Sequence, residues 1–128
     1  MIKFTIPINP VTKKNSMRIA INSRTGKPFL LQSKNYVEYE EMALWYIPKG
    51  KRIDFAVNVE CHFYMQTKRK VDLTNLLAAI DDVMVKAGLL EDDNFTIIQS
   101  HDGSRVLYSK ESPRTEVCIT KAADANNN

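Results

Sequence analysis

Apolar and polar residues alternate along several stretches of the chain, most clearly at residues 53–65. Every second residue there is apolar: Ile53, Phe55, Val57, Val59, Cys61, Phe63 and Met65. A period of two is typical of a strand with one buried face, so this stretch predicts a long strand. Residues 2–6 predict a short first strand that ends at Pro7, and residues 95–100 and 116–120 predict two more.

Two segments carry apolar residues at helical spacing. Residues 34–47 follow Ser33, a favourable N-cap residue, and precede Pro48, and residues 72–87 end at Gly88. The apolar face of the first helix is predicted to contain Tyr36, Val37, Ala43, Leu44 and Ile47. The apolar stripe of the second helix is predicted to contain Leu73, Leu76, Leu77, Ile80, Val83, Met84 and Ala87.

Residues 7–33 contain three prolines and fit either a long basic loop or a loose hairpin around Arg24, Thr25 and Gly26. Together the elements predict an α+β fold: a single small domain at residues 1–121, with two main helices packed on one face of a mixed β-sheet. Residues 122–128 are predicted to be a disordered tail.

Length and composition restrict the class of protein. The chain has 128 residues, 44% of them hydrophobic and 26% charged, which fits one globular domain. It has no apolar run of about 18 residues that could span a membrane, and its N-terminus lacks the pattern of a secretory signal. Both Cys61 and Cys118 lie in predicted strands, so we expect buried thiols and a cytoplasmic location.

Charge is distributed unevenly along the chain. Residues 1–37 contain seven basic residues and no acidic one, and Lys68, Arg69 and Lys70 form a second basic cluster. Residues 72–93 reverse the balance, with six acidic residues and one base. This pattern predicts a polyanion-binding surface around a metal ion, although scattered, solvated surface charge accounts for it equally well.

The segment with the most acidic residues also has a spacing that suits metal binding. On a helix, five positions share one polar edge: Asp72, Asn75, Ala79, Asp82 and Lys86. After Gly88 the chain can return toward this edge and add the carboxylates of Asp92 and Asp93, and converging carboxylates suit Mg²⁺ or Mn²⁺. Such an ion would activate water for phosphodiester hydrolysis, and a nearby lysine would stabilise the developing charge. The alternative is that Asp72 only caps the helix and that Asp92 and Asp93 only form a turn.

The same segment contains an ordered motif. It reads Lys68-Arg69-Lys70, Asp72-Leu73-Thr74-Asn75-Leu76, Ala78-Ala79, Asp82, Lys86-Ala87-Gly88 and Asp92-Asp93. This order resembles the signature of the RusA family of endodeoxyribonucleases, the phage and bacterial Holliday junction resolvases. The first strand, the Lys13-Lys14-Asn15-Ser16 loop and the tyrosine-bearing first helix also have counterparts in the family, so the resemblance covers residues 2–121.

The resemblance implies a RusA-like fold and a homodimeric, Mg²⁺- or Mn²⁺-dependent nuclease that cuts four-way DNA junctions by paired hydrolysis. It also implies a phage or prophage origin. Catalytic and metal-binding roles are implied for Asp72 and Asp93, with Asp92 beside Asp93 and Asp82 on the helix.

Two positions depart from the family pattern. Thr74 lies where the family usually has a second carboxylate, and Ala78 lies where many members have a catalytic lysine. Lys70 or Lys86 would then supply the catalytic positive charge. If these departures abolish cleavage, the chain is a junction-binding protein of the same fold that does not cut.

DNA contacts are predicted at basic and polar residues that can bind phosphates without reading sequence. They are Lys13, Lys14, Asn15, Arg18 and Arg24 after the first strand, and Lys68, Arg69, Lys70 and Asn75 around the start of the second helix. For the first group, the alternative is a solvated loop that does not contact DNA.

Overall fold

The computed structural model describes residues 1–13, 17–50 and 52–123, so the predictions for Lys14, Asn15 and residues 124–128 lie outside the described residues, as does the side chain of Arg18. Within this part the chain forms, in order, β1 (Ile2–Ile6), β2 (Met17–Ile21), β3 (Pro28–Gln32), α1 (Lys34–Leu44), β4 (Val57–Met65), α2 (Leu73–Lys86), β5 (Ile98–Ser100), β6 (Arg105–Tyr108) and β7 (Arg114–Lys121).

The long alternating strand, β4, lies at the centre of a mixed sheet. On one side it pairs antiparallel with β7, which in turn pairs antiparallel with β1. On its other side, β5 pairs parallel with β4 at Val57 and Asn58, and β6 pairs parallel with it from His62 to Met65. The predicted mixed sheet is therefore confirmed.

One face of this sheet is covered by the two helices. The inward side chains of Val57, Val59, Cys61 and Phe63 in β4 are at most 1% exposed. They join one apolar cluster with residues from both helices, among them Ala43, Ile80 and Met84. The predicted arrangement of two helices on one face of a mixed sheet is confirmed, and it fixes α2 beside the sheet.

The long strand begins later than the alternation predicts. Ile53 forms an isolated parallel bridge with Leu90, and its carbonyl accepts a hydrogen bond from the Glu91 N–H at 3.0 Å. Ile53 is thus buried by the segment that follows α2, whereas Phe55 is 46% exposed. The alternation of apolar and polar residues in the sequence thus includes residues 53–56, but the hydrogen-bonded pairing of β4 with its neighbouring strands starts only at Val57.

The strand predicted at residues 95–100 is also shorter, since β5 covers only Ile98–Ser100. The Asn94 side chain accepts a hydrogen bond from the Thr96 N–H, and the Asn94 carbonyl accepts one from the Ile98 N–H, each at 2.9 Å. These bonds form a turn that leaves Phe95 82% exposed.

The first helix ends at Leu44, three residues before the predicted end. Its buried face contains Tyr39, whereas Val37, which the apolar spacing placed on that face, is 40% exposed. Ser33 caps the helix as predicted, with its hydroxyl accepting a hydrogen bond from the Tyr36 N–H at 3.3 Å.

Residues 17–32 form a hairpin instead of a loop, and β2 and β3 make a separate two-stranded sheet. Gly26 adopts a φ of 69°, which favours glycine. The Asn22 side chain accepts hydrogen bonds from the N–H groups of Arg24 and Thr25, and these bonds close the turn.

Both cysteines are free thiols, and Cys61 is buried as expected, but Cys118 is only half-buried. In the described part of the chain, no helix combines the length and the apolarity needed to cross a membrane.

Candidate active site

Asp72 lies at the N-terminus of α2 with its carboxylate exposed. It occupies the N-cap position, yet its side chain makes no capping hydrogen bond. Instead its Oδ2 accepts a hydrogen bond from the Asn75 Nδ2 at 3.2 Å. The carboxylate therefore does not cap the helix: it is oriented by Asn75 and is accessible from solvent.

The two departures from the family motif lie on the next part of the same helix. Thr74 and Ala78 are both exposed, and their spacing of four residues places them on one face. A carboxylate at position 74 would also lie in the first turn of α2, so the threonine leaves this end of α2 with one negative charge fewer than the family pattern has.

The basic cluster immediately precedes this end of α2. Lys68, Arg69 and Lys70 are all exposed, and the Lys68 Nζ lies 4.9 Å from the centre of the Tyr108 ring at the end of β6. A cation over an aromatic face is stabilised by the ring quadrupole. The structure thus places three positive charges and the Asp72 carboxylate within one short segment.

The loop that contains Asp92 and Asp93 follows the other end of α2. The Asp92 Oδ1 accepts the Asp93 N–H at 2.7 Å, and the Asp92 Oδ2 accepts the Asn94 Nδ2 at 3.1 Å. Asp92 therefore shapes a turn, as the alternative interpretation held. The Asp93 carboxylate has no hydrogen-bond or ion-pair partner among the described residues.

Asp82 and Lys86 each pair with a residue of another segment. The Lys13 Nζ lies 3.0 Å from the Asp82 Oδ2, and the Lys86 Nζ lies 2.8 Å from the Glu40 Oε1 of α1. Lys13 thus joins the segment after β1 to α2, and Lys86 joins α1 to α2. In the described structure both lysines form ion pairs with acidic side chains.

The four predicted metal ligands are not gathered at one point of the chain. Asp72 and Asp82 are ten residues apart in α2, which corresponds to about 15 Å along the helix axis. Asp93 belongs to the loop that leaves the C-terminal end of α2, whereas Asp72 lies at the N-terminal end. Among the described residues, no group of three or more His, Cys, Asp or Glu side chains is placed to hold a metal ion.

A pair that the sequence analysis did not find lies beside this region. The His101 Nε2 lies 2.9 Å from the Asp81 Oδ2, and the His101 Nδ1 lies 2.8 Å from the Val59 carbonyl oxygen. Because a carbonyl only accepts, Nδ1 must carry a hydrogen, so the second proton is shared between Nε2 and the carboxylate. Asp81 follows Leu77 by four residues and so lies on the apolar stripe of α2, and this position is the feature of the sequence that indicates its burial.

Burial and hydrogen bonding shift the proton affinity of both partners. Burial raises the pKa of Asp81 above its usual range, the bond to His101 limits the rise, and the charges of Asp93 and Asp82 add to it. Burial alone would lower the pKa of His101, but its bonds to Asp81 and Val59 outweigh this, and the net pKa is raised. Both shifts favour a proton held between the two side chains, and the pair ties α2 to β4 next to the Asp92–Asp93 loop.

Comparison with known proteins gives two matches. Residues 7–120 match the model of a family described as endodeoxyribonuclease RusA. The chain is also 31% identical over 105 residues to a crossover junction endodeoxyribonuclease RusA from Aquifex aeolicus (strain VF5), across 80% of this chain and 79% of that protein.

Proposed function

The chain belongs to the RusA family of endodeoxyribonucleases, and on this premise we propose that it resolves four-way DNA junctions by Mg²⁺-dependent hydrolysis of paired phosphodiesters. The observation that carries the proposal is the Asp72 carboxylate, which is exposed at the start of α2, makes no capping bond and is separated by one residue from a run of three exposed basic residues. A metal ligand beside a phosphate-binding segment is what phosphodiester hydrolysis requires.

The donors at Asp72 suit Mg²⁺ in one particular form. Mg²⁺ is commonly held by one or two carboxylates together with waters and substrate phosphates, and it does not need a complete protein cage. Asp72 supplies one anionic oxygen, and the Asn75 side chain holds the other oxygen of the same carboxylate. We therefore expect the ion to bind Asp72 jointly with a DNA phosphate, and to bind weakly when DNA is absent.

When bound, the ion would polarise the scissile phosphate and lower the pKa of a coordinated water. The residues of the chain position the DNA for this chemistry. Lys68, Arg69 and Lys70 bind phosphates next to Asp72, and the stacking of Lys68 on Tyr108 limits how far its ammonium can move. Lys70, two residues before Asp72, supplies the positive charge that Ala78 cannot.

We propose that the active form is a homodimer working in the cytoplasm. A four-way junction needs two symmetric cuts, and a two-fold pair of sites matches the symmetry of the substrate. The two unpaired thiols of the chain fit a reducing compartment.

The decisive experiment is cleavage of a synthetic four-way junction with Mg²⁺ or Mn²⁺, compared with a linear duplex of the same sequence. The native chain should nick the junction in symmetric pairs and leave the duplex intact. Asp72→Asn keeps the hydrogen bond to position 75 possible but removes the charge, and should reduce cleavage roughly 10²-fold or more.

Glu111→Gln is the matched control, because it removes an exposed carboxylate from the loop before β7 and should leave the rate unchanged. Junction binding without cleavage under either ion would show that Thr74 and Ala78 have converted the chain to a binding protein. Equal loss in both variants would remove Asp72 from the mechanism.

A further inference from the structure

The exposed apolar surface of the chain is concentrated in one continuous segment. Of the exposed large hydrophobic side chains in the described residues, most lie between residues 19 and 46, on the hairpin and on the outer side of α1. Patches of this kind on a folded chain mark surfaces that another molecule covers.

The first half of this surface is one side of the hairpin, which we call the hairpin face. It consists of Ile19, Ile21, Pro28 and Leu30. Ile19 pairs across the strands with Leu30, and Ile21 with Pro28, so the four side chains lie together on one side of the ribbon. Ile19, Ile21 and Leu30 are 72%, 71% and 69% exposed. A hairpin with only two strands is marginally stable in water, so covering this face would also stabilise the hairpin.

The second half is the outer side of α1, which we call the helix face. It consists of Val37, Glu38, Glu41, Met42 and Trp45. At 100° per residue these positions fall within about 140° of one another, opposite the buried side of the helix. Trp45 is 85% exposed and Met42 is 49% exposed.

The two faces are complementary in charge as well as in apolarity. Residues 17–32 contain no acidic residue, and the exposed Lys27 borders the hairpin face next to Pro28. The helix face exposes Glu41, and also Glu38, whose Oε1 lies 3.8 Å from the Lys34 Nζ at the start of the same helix. A hairpin against a second hairpin would bring like charges together, whereas a hairpin against a helix face pairs opposite ones.

We infer that the hairpin face of one copy of the chain packs on the helix face of a second copy, and that the two contacts form reciprocally around a two-fold axis. Within one copy both faces are exposed, so they do not cover each other. This inference rests on the proposed homodimer and assigns the surface that forms it.

The turn with Arg24 lies beyond the hairpin face and stays available for DNA. Nine side chains from each copy are few compared with the roughly 20–30 residues a side of a standard interface, so the dimer should dissociate on dilution.

Trp45 is the single tryptophan of the chain, and it reports directly on this contact. We expect the native chain, without DNA or metal, to sediment as a dimer at high micromolar concentration and as a monomer at nanomolar concentration. Over the same range the Trp45 emission should shift to longer wavelength as the side chain becomes exposed to water.

Two sets of variants test the assignment. Ile19→Ser combined with Leu30→Ser should abolish the dimer and give long-wavelength Trp45 emission at every concentration, although neither residue is near Trp45 in sequence. The control is Phe95→Ser, which removes an 82% exposed apolar side chain elsewhere and should behave as the native chain does. Lys27→Glu and Glu41→Lys should each weaken association, and the two substitutions together should restore it.

Several results would overturn the inference. The inference is wrong if the native chain stays monomeric at high concentration. It is also wrong if the dimer persists unchanged in the Ile19/Leu30 variant. A hairpin variant that keeps the dimer but loses junction binding would show that the hairpin face contacts DNA instead. Because the assay needs no cleavage, a chain that dimerises as described but does not cut DNA refutes only the proposed function.

Discussion

Removing the His101 side chain tests whether the buried pair fixes α2 against the sheet. In His101→Ala, the Asp81 carboxylate loses its partner while its side chain remains only 12% exposed. A hydrogen bond to a charged group contributes about 1.5–3 kcal/mol, and the bond to the Val59 carbonyl adds about 1 kcal/mol. We therefore expect His101→Ala to reduce the free energy of unfolding by about 2.5–4 kcal/mol.

The chain offers a matched control on the open face of the same sheet. The His62 Nε2 lies 2.7 Å from the Glu60 Oε2, but the Glu60 side chain is 37% exposed, so solvent can replace its partner. We expect His62→Ala to cost less than about 1 kcal/mol.

Urea unfolding followed by circular dichroism measures both values. The melting temperature should fall by roughly 10 °C for His101→Ala, at about 3–5 °C per kcal/mol for a domain of this size. Equal destabilisation by the two substitutions would refute the reasoning, because it would show that burial of Asp81 does not strengthen its dependence on His101. A loss below about 1 kcal/mol for His101→Ala would do the same.

Three further predictions follow from the site and its surroundings. The pKa values of Asp81 and His101 are both raised on folding, so the folded pair binds more protons than the unfolded one. The pair's contribution to stability is therefore fully present below the unfolded pKa of Asp, about 3.9, and is lost as the pH rises through the folded pKa of His101, above its ordinary 6.5. Asp81→Asn should flatten this decline in urea titrations across that range, and an unchanged slope would contradict it. Thr74→Asp should lower the Mg²⁺ concentration for half-maximal junction cleavage by roughly tenfold, equivalent to about 1.4 kcal/mol, whereas Ser at that position should not, and equal effects would show that charge is not the cause. Replacing Lys68, Arg69 and Lys70 by Ser should reduce the slope of log affinity against log salt for a junction by up to about 2.7, and a slope that stays the same would mean that these residues do not contact phosphates.

The sequence predicted the central elements of the fold because their patterns arise from burial on one side. The residues Val57, Val59, Cys61 and Phe63 of β4 alternate and are all buried, and the stripe of α2 includes Leu76, Ile80, Val83 and Met84, all buried as well. Ile53 shows how the same pattern extends a prediction too far. It is buried like a strand residue, but by the bridge to Leu90, and alternation alone does not reveal which segment provides the cover.

The parts of the candidate site that depend on distant contacts were not predictable in the same way. The motif located Asp72 and its neighbours, since they are close in sequence. The partners of Asp81 and Lys86 lie far away, at His101 and Glu40, and no local spacing indicates them. The separation of Asp72 from Asp82 has a geometric reason, because one edge of a helix can be continuous and still extend over about 15 Å between two of its residues.

The proposed dimer surface and the Asp72 site are connected through the packing of the two helices. The Lys86–Glu40 ion pair joins α2 to α1, and the outer side of α1 is the helix face that the second copy would cover. A reciprocal contact there would fix both copies of α2 relative to the two-fold axis, and with them both Asp72 carboxylates. In the proposed mechanism each Asp72 offers only part of a metal site, which a DNA phosphate would complete, so paired cleavage would need a substrate that reaches both carboxylates. A linear duplex would contact the basic segment of one copy, but it lacks the two-fold arrangement that would bring phosphates to both sites. Selectivity for junctions would then arise from the spacing of two incomplete sites, without any contact that reads a base.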